Sequence, residues 1–135
     1  MYLYYTNSRR GTFARFIIDA NGLPIPGTEA ELVAVLPGYE DGEHLWDDFD
    51  FDFDFGGDGD GKGKGDAFVT AHPSSLIRVD AVTGEQTTVV GGDGTDVLIA
   101  PTSVEFDTTV ERGGGRVLFI VGMGGQVVRV ELLEG

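Results

Sequence analysis

FVTAHPSSLIRV, residues 68–79, is an apolar run, a short turn, and a second apolar run bearing an arginine one place before its end. Two other stretches superpose on it with one gap in the turn: YYTNSRRGTFARF (residues 4–16) and FIVGMGGQVVRV (residues 119–130). Arg15, Arg78 and Arg129 fall in register, and the turns between the runs are polar or glycine-containing, as hairpin connections require. An internal repeat of this kind outweighs any single-segment reading, because each copy must adopt the same local structure. The repeat predicts three antiparallel hairpins of one type.

Working outward, a second repeat precedes two of the hairpins. DDFDFD (47–52) and TSVEFD (102–107) align residue for residue, with Phe51 over Phe106 and Asp52 over Asp107, and both predict a short inner strand ending in an acidic turn. In DFDFDFDF a period of two puts Asp48, Asp50, Asp52 and Asp54 on one face and Phe49, Phe51, Phe53 and Phe55 on the other. Carboxylates stacked in this way repel unless they are solvated or bound to a cation. A third element follows two hairpins, ELVAVL (31–36) and EQTTVVGG (85–92), and predicts outer strands; helical periodicity is weak throughout.

In chain order the middle unit has an inner strand, a hairpin and an outer strand, the four-stranded sheet of a propeller blade. The fold class expected is therefore all-β, about three antiparallel blades amounting to half of a six-bladed β-propeller, with boundaries near 1–40, 41–92 and 93–135 and a flexible acidic glycine-rich loop at 54–66. The first hairpin has no inner strand before it and the last no outer strand after it. A second half-propeller is the partner this implies, either another copy in a homodimer or an N-terminal partner chain.

The 135 residues suit one domain, and 41% apolar with 24% charged residues is the composition of a chain that folds. Twenty-three acidic against nine basic side chains give a net charge of −14, which repels phosphate backbones and anionic lipid, so neither nucleic acid nor a membrane is an expected partner. The absence of cysteine excludes disulfides, thiolate metal sites and cysteine nucleophiles. No stretch has the length of an apolar span or the pattern of a secretory leader. The run from Asp58 to Gly63 begins like a calcium loop, but Lys62 stands at a ligand position and Val69 where the closing glutamate belongs, so a solvated loop is expected there.

Taken together, LYYTNSRRGTFARFII, DDFDFD, DAFVTAHPSSLIRVD and APTSVEF with RVLFIVGMGGQVVRVEL resemble the C-terminal half of the regucalcin/gluconolactonase-like six-bladed propellers, fungal members especially. The resemblance covers nearly the whole chain. It implies a funnel-shaped propeller holding one divalent cation, calcium or similar, at the central channel, with a small-molecule ligand above it. Asn7, in YYTNS, occupies a metal-ligand position that the family fills with aspartate. Asp47 and Asp48 fall on a turn near the channel mouth and are the catalytic candidates, Thr102 and Ser103 occupy the equivalent turn one blade later, and Trp46 either walls the ligand or packs between blades. The functions implied are a natural-product cyclase of hetero-Diels–Alderase type, a metal-dependent lactonase or esterase, or a non-catalytic binding or assembly half-propeller. His44 and His72 are too far apart in the repeat to act as a pair, and no serine has a nucleophile's context.

Overall fold

The computed structural model describes residues 1–52, 65–107 and 116–133. Among these residues the chain is all-β: ten strands in three antiparallel sheets, with one turn of 3-10 helix at Tyr39–Asp41. The first sheet is β1 (Tyr2–Asn7), β2 (Thr12–Ile17) and β3 (Glu31–Val35), in that order. The second is β4 (Leu45–Asp52), β5 (Asp66–His72), β6 (Ser75–Asp80) and β7 (Gln86–Gly91). The third is β8 (Pro101–Phe106), β9 (Arg116–Gly122) and β10 (Val127–Leu132), with β9 in the middle.

The three repeated segments are the hairpins β1–β2, β5–β6 and β9–β10, and the two acidic segments are β4 and β8. Of the loop expected at 54–66, Asp66 instead opens β5, paired with Asp52 and bound by Arg78; residues 53–64, and with them Phe53, Asp54, Phe55 and the Asp58–Gly63 run, lie outside the described residues. His72, expected in a turn, is the last residue of β5.

Two cores hold the sheets together. Phe13 and Ala34 of the first sheet meet Trp46, Val69, Ala71, Ile77 and Val79 of the second, with Tyr4, Phe49 and Phe51 packed alongside. Tyr4 and Phe51 make an edge contact with centroids 4.7 Å apart, and Phe13 meets Phe49 at 5.1 Å, the tilted geometries that aromatic quadrupoles favour. On its opposite face the second sheet offers Phe68 and Leu76 to Val104, Leu118 and Ile120 of the third. Successive residues of β5 and β6 thus serve different cores, which is why these strands read as nearly continuous apolar runs.

Strand β4 carries a bulge. Its register against β5 shifts between Trp46, opposite Ala71, and Phe49, opposite Val69. Without the extra residue Trp46 would lie on the carboxylate face; with it the indole joins Phe49 and Phe51 on the aromatic face. Thr70 holds the bulge, its hydroxyl 3.1 Å from both the Asp48 amide and the Asp48 carbonyl. Strand β8 repeats the device at the aligned position, between Pro101 and Ser103.

Candidate functional site

The bulge at Asp47–Asp48 is where the elements carrying the predicted site residues converge. β1 and the turn after it approach through two hydroxyls: Thr6 donates to the Asp47 carbonyl at 2.9 Å and Ser8 to the Trp46 carbonyl at 2.6 Å. β8 approaches from the other side. Asp48 Oδ2 accepts the Ser103 hydroxyl and the Val104 amide, each at 3.1 Å, and Asp50 Oδ2 accepts the Phe106 amide at 2.8 Å. Asp52, nearly buried, pairs with Arg116 of β9.

The alternation of aspartate and phenylalanine therefore holds for Asp48, Asp50 and Asp52, but the partners of the carboxylates are backbone amides and an arginine. Val104 and Phe106 lie on β8, the edge strand of the third sheet, and the β4 carboxylates satisfy amides of that edge. Charged acceptors on backbone N–H groups are among the stronger protein hydrogen bonds, and they close an edge that would otherwise be open to another strand.

Asp47 is the residue the bulge sets apart. Its side chain is 45% exposed, and Oδ2 lies 3.5 Å from His72 Nε2. That is longer than a formed hydrogen bond, and Nε2 is buried with no hydrogen-bond partner among the described residues. Asp47 and His72 make an open acid–base pair on adjacent strands, one that sequence spacing did not suggest because His72 reads as a residue before a proline turn.

The remaining predicted residues are dispersed. Trp46 is fully buried and donates its indole N–H to the Gly11 carbonyl at 2.9 Å, so it has no surface to offer a ligand and acts as packing between the first two sheets. Gly11 is itself fixed: φ is +61°, and the Tyr39 ring occupies the place of a side chain there. Thr102 donates to the Val121 carbonyl at 3.2 Å within its own sheet. Asn7 accepts the Arg10 amide at 3.2 Å in the hairpin turn. Since Thr6 turns toward β4, strand alternation sends Asn7 to the opposite face, away from Asp47 and Asp48.

Among the described residues, the carboxylates near the bulge are engaged within the protein. Asn7 is not gathered with the β4 carboxylates, Asp48 and Asp50 are committed to β8 amides, and no group of three or more His, Asp or Glu side chains suited to a metal occurs among the described residues.

A second polar cluster joins distant parts of the chain. His44 Nδ1 lies 2.6 Å from Asp41 Oδ2 and Nε2 3.0 Å from Asp93 Oδ1, linking the turn before β4 to the loop after β7. The hydrogen bond to Asp93, then that to Asp41, raises the His44 pKa, while backbone N–H groups of His44 and Glu43 lower that of Asp41. No helix among the described residues is long and apolar enough to cross a membrane. No protein-family model matches the chain, and no curated protein matches it.

Proposed function

We propose that the three sheets are blades of a β-propeller of the regucalcin/gluconolactonase-like kind, and that the bulged ends of β4 and β8 border a small-molecule site working by positioning and hydrogen bonding. The propeller reading is supported by the order of strands within each sheet, with β4 and β8 at corresponding edges and lying against each other. The site reading is carried by one observation: a bulge at the same place in β4 and β8, which on β4 turns an exposed carboxylate toward an unpartnered histidine nitrogen. Bulges next to active sites re-aim side chains in this manner.

Such a pair suits a cyclase of the hetero-Diels–Alder type. A cycloaddition converts π bonds into two new σ bonds with no net transfer of protons or electrons, so the protein has only to hold the partners and polarise the heteroatom. The exposed Asp47 carboxylate would accept a hydrogen bond from a hydroxyl or N–H of the substrate, with His72 Nε2 3.5 Å behind it. Holding two reacting groups in one geometry removes about 7–11 kcal/mol of barrier in favourable cases.

A second reading is a non-catalytic assembly module, favoured by the use of Asp48, Asp50 and Asp52 as ties between sheets. A metal-dependent lactonase would need those same carboxylates as ligands. NMR titration of the full chain with a panel of small lactones and conjugated carbonyl compounds, with and without chelator, separates the readings. Shifts centred on Asp47, His72 and Thr102, lost in Asp47→Asn and indifferent to chelator, support the cyclase-type site. Chelator-sensitive binding favours the lactonase, and no shift at any of these residues favours the assembly module.

A further inference from the structure

The two inter-sheet cores are built by one rule. The repeat aligns Tyr4 and Phe13 with Phe68 and Leu76, and with Phe119 and Val127. In the first sheet Tyr4 and Phe13 face the second sheet; in the second, Phe68 and Leu76 face the third. The receiving faces correspond as well: Val69, Ile77 and Val79 take the first sheet, and Ile120, Val128 and Val130 take the second. Each sheet therefore presses a donor face onto the receiving face of the next.

The rule leaves one face of each kind uncovered. Phe119, Val121 and Val127, the donor face of the third sheet, are exposed, Val121 at 44% and Val127 at 69%. Tyr5, Ala14 and Phe16 stand at the receiving positions of the first sheet, in one layer with Leu3 and Leu32, which are 51% and 60% exposed. Tyr5 and Phe16 stack at 5.2 Å, giving that layer a flat aromatic centre. The first sheet's face carries no charged side chain; that of the third carries Glu105, opposite Phe119, and Arg129 with Glu131, which pair with each other at the rim.

We propose that these two faces bind each other between copies: the Phe119–Val121–Val127 face of one copy docks on the Leu3–Tyr5–Phe16–Leu32 face of a second. The occupant is a second copy because each exposed face is, by the repeat, the counterpart of a face already buried within the chain, so the contact continues an interface made twice. A two-fold axis makes the contact reciprocal, each copy giving one face and receiving the other, and the two junctions close a ring of six sheets. The inference rests on sheet packing alone and is independent of any ligand at the β4 bulge.

Sedimentation of the full chain and of two variants tests it, with the fluorescence of the buried Trp46 reporting that each is folded. Wild type is expected to sediment as a dimer. Val127→Glu and Leu32→Glu are each expected to weaken association by about tenfold or more. Mixing the two variants restores dimers through the one junction left intact. Should Val127→Glu perturb Trp46, Val127→Thr serves in its place. A wild-type monomer, a dimer unmoved by either variant, or a mixture that stays monomeric would each overturn the proposal.

Discussion

β4 and β8 share a pattern, a bulge and a position at the edge of their sheets, yet only one of them has a neighbour to grip. Asp48 and Asp50 of β4 hold the Val104 and Phe106 amides, whereas on β8 the counterpart Ser103 turns back to Asp48 and Glu105 stands exposed. On the aromatic side Phe49 is packed against Phe13, and its counterpart Val104 is buried against the second sheet. The apolar half of the pattern is thus spent identically in both strands. The acidic half depends on whether another sheet follows, so the aspartates of β4 act as ties between sheets as well as surface charge.

The largest effect is expected where the aromatic half is removed. Trp46→Ala deletes the most voluminous fully buried side chain and its hydrogen bond to the Gly11 carbonyl, and should cost about 3–5 kcal/mol in chemical denaturation. Replacing the acidic half is next. Asp48→Ala with Asp50→Ala strands the Ser103, Val104 and Phe106 donors and should cost about 1–3 kcal/mol for each amide left buried and unsatisfied. The matched change on β8, Glu105→Ala, should fall within about 0.5 kcal/mol of wild type, as exposed substitutions do. Equal losses in the two strands would break the comparison.

What the sequence disclosed follows from the period of two. Alternation in DDFDFD is enough to separate carboxylates from rings, and the arginine register of the hairpins places every strand of the repeat. The bulge was hidden, because nothing in Trp46-Asp47-Asp48-Phe49 states that two residues will share one partner position; Thr70, which holds it, lies 22 residues away. For the same reason Trp46 read equally as ligand wall and as packing. The targets of the carboxylates were illegible for a different cause. Backbone amides have no letter in the sequence, so acidic stacking suggests a cation when its partners are the N–H groups of an edge strand.

Thr70→Val keeps the volume and removes the hydroxyl that fixes the bulge. It should destabilise by about 1 kcal/mol and broaden the NMR signals of Asp47 and His72 more than those of Phe106. Smallest of all is the contribution of His44. Its folded pKa is raised, so its stabilisation is complete below about pH 6.5 and fades as pH climbs through the raised value; that of Asp41, whose pKa is lowered, is lost as pH falls below about 4. The difference in melting temperature between wild type and His44→Gln should accordingly be widest between those limits and shrink on either side.

The most direct test of the β4 carboxylates as ties is amide hydrogen exchange at Val104 and Phe106, followed residue by residue at neutral pH. Both N–H groups are given to aspartate side chains, so exchange is predicted to be slow in wild type and accelerated several-fold at these two residues in the Asp48→Ala, Asp50→Ala double variant. Exchange at the rate of an unstructured peptide in wild type, or protection unchanged by the double substitution, would contradict it.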